Sequence, residues 1–599
     1  MKAKNTSIAA LIFILLSTIS AYLGSAIERD FGNIDVSNIV FMTEEMKPMS
    51  AKLYRPVSAT PETPKPGVLA LHGYQSDKEA TNTFGALELA KRGFVVLAID
   101  HFGHGFSTSL PASNRNMSGA NNGYQYLKQL NFIDKDKLGI FGHSTGALNA
   151  IRVAKLNPDH KAINGLSSNG GETGLNNYLL TQGLYEEIGG YRERTFPVKD
   201  LISHPKRLEA FGLAENERLQ WNHTYGNIED GSARRAALVN GTHLGVMIAS
   251  QSNKEIVSWF NQTLQQGDQS SHWPEINRQS YWYKEFTGLF SLFFALMALL
   301  CAAESLLKTS YFSAICKQPT LQTAISKRSW WKFSLINIAI TTLFYPLFTQ
   351  WGGPNEPIAA LLPFMPLEMG NGIILWLLAS GIFSLILFLI WQRKSFISLS
   401  EFGVVSASTS IKTVVIVWRS FVLSLIGVGG LYLFTCIIYQ CLHVELRFLW
   451  PLLKPLTAER FAILFFYWLP ILFFFIVFNG LIISVQMRRE MKSSFNTTLF
   501  TWSLQTLFFV IGGLLLLWIF HFGLNFMQIG PGFDVIGLPQ FGGRWMMMLV
   551  VIIPQFIVFT VINHWCYLKT GYIYLGPLLT SMLMTWVLVG GQVMGRFLA

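Results

Sequence analysis

The chain has 599 residues, 51% of them hydrophobic, 14% aromatic and only 14% charged, with a formal net charge of +11. That length exceeds one ordinary domain, and so apolar a composition fits the membrane class. The stretch 27–284 holds 26 basic and 26 acidic residues, so the positive excess lies among the apolar segments. There it reports membrane topology, and a basic nucleic-acid-binding face is excluded.

Residues 1–26 open with Met-Lys-Ala-Lys and an apolar run from Ile8 to Leu23, followed by the small residues Gly24 and Ala26. This is the pattern of a secretory signal peptide or of an uncleaved signal anchor. Either one carries the following domain out of the cytoplasm.

Residues 27–284 alternate strand and helix patterns. Asn38 to Thr43 and Met49 to Tyr54 read as a hairpin. The runs Pro66 to His72 and Gly93 to Ile99 read as strands buried on both faces, with a helix over Lys78 to Arg92 between them. Further strands are expected at Lys137–Phe141, Ala162–Leu166, Asn177–Gln182 and Ala236–Val239, and helices at Thr145–Leu156 and Lys254–Leu264. Strands alternating with helices predict a mostly parallel α/β sheet.

Residues 285–599 read as an all-α domain of about eight membrane spans: 286–307, 331–351, 371–391, 413–440, 461–485, 496–522, 545–567 and 571–592. Lys/Arg-rich loops (Lys308 to Arg328; Arg393 to Lys412; Arg488 to Lys492; Lys569) alternate with poorer ones. The loop 352–370 has no Lys or Arg, and Arg544 and Arg596 stand alone in theirs. The richer loops are expected in the cytoplasm, which puts 27–284 outside. The loop 441–460, with Arg447, Lys454 and Arg460, weakens that alternation without reversing it. Glu304, Arg419 and His564 fall toward the cytoplasmic span ends, where snorkelling accounts for them, and Asp534 reads as a turn residue.

The chemistry concentrates before residue 250. Gly142-His143-Ser144-Thr145-Gly146 fits the G-x-S-x-G elbow, a strand-to-helix turn that exposes a serine hydroxyl beside helix-start N–H groups. Three features flank it in order. His72-Gly73-Tyr74 ends an early strand, where the N–H of Tyr74 or Gln75 would join that of Thr145 in an oxyanion hole. Asp100-His-Phe-Gly-His-Gly-Phe-Ser107 follows the next strand. Asn240-Gly-Thr-His243 follows the last, bringing an imidazole to the carboxyl edge of the sheet, where ligands bind in such folds.

Over roughly residues 35–265 these motifs resemble the α/β-hydrolase superfamily. The resemblance implies Ser144 as nucleophile and His243 as general base. It also implies an acid after the strand that follows the elbow unit, a place held by Glu186 in Asn177-Tyr-Leu-Leu-Thr-Gln-Gly-Leu-Tyr-Glu186-Glu187. Glu187 and Asp230 are the alternative acids. The stretch from Gly183 to His243, with Tyr191, Phe196, Phe211, Trp221 and Tyr225, reads as a partial lid.

The expected protein is an α/β-hydrolase domain followed by a polytopic helical domain: a membrane-tethered serine hydrolase, carboxylesterase- or lipase-like, acting on a small-molecule or lipid ester. It needs no metal or cofactor, takes no nucleic acid and carries no signal for oligomeric state. The rivals are a transporter or receptor whose external domain only binds ligand, and a peptidase or acyltransferase using the same three groups.

Overall fold

The computed structural model describes residues 3–110, 116–266, 273–321, 323–351, 364–395, 397–407 and 411–595. Arg596 and most of the loop 352–370 lie outside the described residues.

The N-terminal part is built on a nine-stranded sheet of order β1-β2-β4-β3-β5-β6-β7-β9-β8. Its strands are β1 (Ile34–Met42), β2 (Pro48–Pro56), β3 (Lys65–Leu71), β4 (Val95–Ile99), β5 (Ile133–His143), β6 (Ala162–Leu166), β7 (Tyr178–Tyr185), β8 (Thr224–Tyr225) and β9 (Arg234–Thr242). From β4 to β9 the neighbours are parallel; the expected hairpin β1–β2 and the short β8 are antiparallel. Every residue of β4 is buried, and its side chains divide by the period of two. Val95, Leu97 and Ile99 join the core on one face; Val96 and Ala98 join the core on the other. A strand covered on both faces has no polar side, hence its unbroken apolar run.

One expected helix is broken. Lys78 to Arg92 forms a 3₁₀ stretch, Lys78–Phe84, then a short α-helix, Ala86–Ala90, joined at Gly85 with φ +135. A Cβ at Gly85 would meet the Phe141 ring at 3.1 Å, so the kink lets this segment settle onto the elbow strand.

All eight expected apolar runs are helical: Tyr281–Leu307, Lys327–Gln350, Gly370–Ser395, Thr413–Leu442, Ala458–Gln486, Phe495–Val510 with Gly512–Phe526, Pro539–Thr570 and Leu575–Gly591. Two depart from plain spans. The sixth bends by 50° at its break, and the last has 17 residues. The bend falls where Gly513 crosses helix Lys327–Gln350 so closely that a Cβ would lie 2.6 Å from the carbonyl oxygen of Ile338. Counting the N-terminal helix, seven described helices are long and apolar enough to cross a membrane, and the bent pair makes an eighth if it is one span.

The N-terminal helix, Ala3–Glu28, packs antiparallel along Tyr281–Leu307. Ser17 Oγ donates to the Ser291 carbonyl at 2.8 Å, Phe13 stacks on Phe294 and Ser7 meets Ser305. Small and hydroxylated residues are the usual contacts between apolar helices. At its end Glu28 lies 3.1 Å from Lys52 of β2, which also pairs with Glu79.

The helical domain meets the sheet domain through the basic-poor loops and through 441–460. Tyr74 Oη donates to Glu368 at 2.7 Å, Arg192 pairs with Asp534, and Val593 N donates to Gln75 Oε1. Arg447 and Lys454 both pair with buried Asp77, at 3.0 and 2.6 Å, and Arg460 donates to the carbonyls of Gly103 and Gly105. These three cations of 441–460 are therefore committed to the domain contact, which is why that loop breaks the charge alternation. Contacts among the basic-rich loops gather elsewhere: Lys317 reaches the carbonyls of Ser400 and Thr570, and Glu304 pairs with Lys308 and Lys569. His564 does not snorkel; it is buried with Nε2 2.9 Å from Thr506 Oγ1.

Candidate active site

Ser144 sits between β5 and helix Thr145–Leu156 at φ 56, ψ −120, a backbone conformation that L residues rarely adopt. The turn is tight because Gly142 and Gly146 lack side chains. A Cβ on Gly142 would lie 2.5 Å from the Gly146 backbone, and one on Gly146 would lie 2.3 Å from the Leu71 carbonyl oxygen. Ser144 N donates to the Leu166 carbonyl at 2.9 Å, tying the elbow to β6.

Sheet register brings Glu186 and His243 together. Tyr185 of β7 is paired with Thr242 of β9, so the next residue on each strand leaves the sheet at the same point. Glu186 Oε1 lies 2.8 Å from His243 Nδ1, and Ile188 N also donates to that oxygen. Glu187 turns the other way and accepts the backbone N–H of His243 at 2.8 Å. Asp230 is elsewhere: it is an exposed turn residue whose Oδ1 accepts the N–H of Ser232.

Burial opposes charge on His243, but the neighbouring carboxylate of Glu186 and its hydrogen bond, with Glu187 behind, outweigh it and raise the imidazole pKa. Burial and the charge of Glu186 push the Glu187 carboxyl up to about 8. His143 keeps its ring against His243, with Nε2 2.8 Å from the His243 carbonyl oxygen, and burial holds its pKa well below the ordinary value.

Ser144 and His243 line one cavity but share no hydrogen bond. Ser144 Oγ donates to Tyr191 Oη at 3.3 Å, and the Tyr191 ring lies nearly parallel to the imidazole, centroids 5.2 Å apart. The lid segment thus supplies an aromatic that touches both groups. Its position is fixed from the helical domain, since adjacent Arg192 pairs with Asp534 and stacks on Phe196.

The segment expected to supply oxyanion donors runs past the serine: a Cβ on Gly73 would lie 3.4 Å from Ser144 Cβ. Tyr74, Gln75 and Thr145 line the same cavity as Ser144, and the N–H of Thr145, at the start of its helix, has no partner in a preceding turn. His101 and His104 stay in their turn. His101 N donates to His72 Nε2, His101 Nε2 meets the His72 carbonyl, and the three rings pack together. Gly105, at φ +49, wraps around Asp100, which pairs with Lys78 at 2.8 Å. Among the described residues no group of three or more His, Cys, Asp or Glu is placed to hold a metal ion.

The cavity has a volume of about 640 Å³ and its walls come from both domains. Ile188, Leu244 and Tyr191 close the sheet side; Met369, Trp450, Trp545, Met547 and Met548 close the helical side, with Gln350, Glu368 and Arg544 among them. Sequence spacing carries no signal for these partners, which come from segments 200 to 400 residues beyond Ser144. Tyr191 is visible in the sequence as a lid aromatic, and nothing there ties it to the serine.

A family model described as serine aminopeptidase, S33, matches residues 62–193, which include the elbow and Glu186 and stop short of His243. No curated protein matches the chain. Among solved structures, the Pyrococcus furiosus esterase Pf2001 is 14% identical, with 39% of this chain and 92% of that one covered and a TM-score of 0.28. The Pyrobaculum calidifontis esterase is 14% identical, with 45% and 94% covered and the same TM-score. The hypothetical protein PA2218 from Pseudomonas aeruginosa is 19% identical with a TM-score of 0.21; the match takes in 23% of this chain and only 43% of that one. Nothing about activity follows from structural likeness of this size.

Proposed function

From the premise that the N-terminal part of this chain is an α/β-hydrolase domain, carried on a helical domain rich in apolar spans, we propose that the protein is a membrane-tethered serine hydrolase cleaving acyl esters. Ser144 is the nucleophile, His243 the general base and Glu186 the acid that orients the imidazole. The observation that carries this reading is the 2.8 Å contact of Glu186 Oε1 with His243 Nδ1 at the rim of the cavity that holds Ser144. A carboxylate on Nδ1 fixes the tautomer that leaves Nε2 free to take a proton, and stabilises the imidazolium that results.

In the reaction the Ser144 hydroxyl leaves Tyr191, passes its proton to His243 and attacks the acyl carbonyl. The N–H of Thr145, with that of Tyr74 or Gln75, holds the tetrahedral oxyanion, and one such donor is worth on the order of a hundredfold or more in rate. Protonated His243 then gives its proton to the leaving alkoxide, and water releases the acyl group by the same steps in reverse.

An acyl ester is favoured over a peptide by the cavity wall, where Trp450, Trp545, Met547 and Met548 offer apolar surface. The domain faces the cell exterior in this reading. The support is the loop partition, with Lys/Arg-rich connections away from the domain and, 441–460 apart, basic-poor ones against it. The packing of the N-terminal helix along Tyr281–Leu307 supports reading it as an uncleaved signal anchor.

The test is a panel of p-nitrophenyl esters of increasing acyl length, given to the purified full chain and to Ser144→Ala. Turnover that disappears in the variant is expected. Absence of turnover from the unmutated protein with every ester would remove the reading.

A further inference from the structure

We propose that the cavity takes a glycerophospholipid, with an acyl ester at Ser144, the fatty chain against Trp545, Met547 and Met548, and the phosphate on Arg544. The inference rests on the reading of Ser144 as nucleophile and adds the substrate class.

The first ground is depth. Gln350 is the last residue of helix Lys327–Gln350, Met369 immediately precedes Gly370–Ser395, and Trp545, Met547 and Met548 stand near the start of Pro539–Thr570. Three apolar helices therefore end at the cavity, on the side that meets the hydrolase domain. Ser144 looks onto the level where a bilayer gives way to water, and tryptophan at that level is the usual interfacial residue. A volume of about 640 Å³ suits the ester region and headgroup of one lipid, with the rest of the chain left among the helices.

The second ground is the chemistry of the polar groups left over. Among the described residues Arg544 is exposed at the rim and forms no ion pair or hydrogen bond. Gln75 is almost fully buried, yet its Nε2 has no acceptor, and Gln350 Nε2 has none either. The acid of the wall, Glu368, is already engaged, accepting the Tyr74 hydroxyl at 2.7 Å. Beside the Glu368 carboxylate and the polar side chains of Gln540 and Tyr191, the cavity offers an incoming molecule one guanidinium and two amide donors without acceptors. These suit an anionic, acceptor-rich headgroup, and guanidinium matches phosphate in both charge and geometry. A neutral diacylglycerol would leave Arg544 unused, and a cationic amphiphile would be repelled by it.

The reaction balances without a further reagent. Ser144 Oγ adds to the acyl carbonyl as His243 takes the hydroxyl proton. The bond from acyl carbon to glycerol oxygen breaks, that oxygen takes the proton from His243, and lysophospholipid departs. Water then attacks the acyl-serine and releases a fatty acid, and the proton returns to Ser144 through His243.

The experiment uses the full chain in mixed micelles with three probes: phosphatidylglycerol, diacylglycerol of the same chains, and p-nitrophenyl butyrate. kcat/KM is measured for the unmutated protein, Arg544→Gln and Arg544→Lys. Phosphatidylglycerol should exceed diacylglycerol by about tenfold or more, as a charge-assisted contact predicts. In Arg544→Gln the ratio of phosphatidylglycerol to p-nitrophenyl butyrate should fall by about tenfold, with part of the fall restored in Arg544→Lys. Equal turnover of the two lipids, or a ratio that Arg544→Gln does not move, would overturn the inference. Turnover of p-nitrophenyl butyrate alone would overturn it while leaving the hydrolase reading standing. Turnover of none of the three would overturn both.

Discussion

Tyr191 donates no hydrogen bond to His243 but lies parallel to its ring, 5.2 Å away, while its hydroxyl accepts from Ser144 Oγ at 3.3 Å. The phenol thus holds the hydroxyl that the imidazole would deprotonate in the proposed reaction. Tyr191→Phe keeps the ring over His243 and removes the competing acceptor. One hydrogen bond of this kind is worth about 0.5–1.5 kcal/mol, so the rate of Ser144 acylation by a small activated ester should rise about 2- to 10-fold. Stopped-flow burst kinetics read that rate directly; a fall would mean that Tyr191 assists the reaction instead of restraining it.

Glu186 and Asp230 separate cleanly in space, and activity should separate with them. Glu186→Gln keeps the shape but removes the charge on His243 Nδ1, and should lower kcat/KM by on the order of a thousandfold or more. Asp230→Asn alters only an exposed turn bonded to Ser232 and should leave kcat/KM unchanged. The reverse ranking in ester hydrolysis would move the acid to Asp230.

The same contact sets the pH dependence. In the proposed reaction His243 acts as a base only when neutral, and Glu186 raises its pKa above the ordinary 6.5 against the opposing effect of burial. Activity should therefore fall as pH drops through a value above 6.5, with the charged imidazole favoured at lower pH. In Glu186→Gln the raising charge is lost while burial remains, so the acid limb of kcat/KM should move to lower pH. A limb that stays in place would show that Glu186 does not govern the imidazole.

At the domain contact, Asp77 faces Arg447 and Lys454, all three buried. Burial disfavours its charge, but the two cations reverse that and hold its carboxyl far below the usual range. Asp77→Asn removes the anion nearest both buried cations, leaving Lys454 only its 3.6 Å contact with Glu445, a loss of about 3–5 kcal/mol. The half-exposed pair of Asp35 with Arg55 is screened by water and is worth about 0–1 kcal/mol. Thermal unfolding in detergent should drop sharply for Asp77→Asn and barely for Asp35→Asn; equal shifts would contradict the reading of that contact as a buried ion network.

Much of this site is readable from the sequence because strand order and local motifs are local properties. The Gly-x-Ser-x-Gly turn announces its own sterics, and Glu186 and His243 each follow an apolar strand whose edge position the α/β pattern fixes. What cannot be read is contact made at long range. Gln350, Glu368 and Arg544 meet Ser144 across the junction of two domains, and no spacing rule links residues so far apart. The kink at Gly85 and the bend near Gly512 escape for a related reason: each is dictated by a neighbour, Phe141 or Ile338, that the local pattern does not contain. The basic residues of 441–460 blur the charge alternation because they answer Asp77 and the Gly103–Gly105 turn, not the membrane potential.

Sidedness has its own check. Cys316 is exposed in the basic-rich loop after Tyr281–Leu307, and Asp136 is exposed on the hydrolase domain. With exposed Cys441 replaced by serine, a membrane-impermeant maleimide given to intact cells should label Asp136→Cys and spare Cys316 until the membrane is permeabilised. The opposite pattern would turn the protein over.

The most direct test is a fluorophosphonate probe on the full-length protein, with the adduct located by peptide mass. A single adduct on Ser144 is expected, absent from Ser144→Ala and formed far more slowly in His243→Ala. An unmutated protein that takes no label, or a Ser144→Ala variant that labels as fast as the parent, would contradict the assignment of Ser144 as nucleophile.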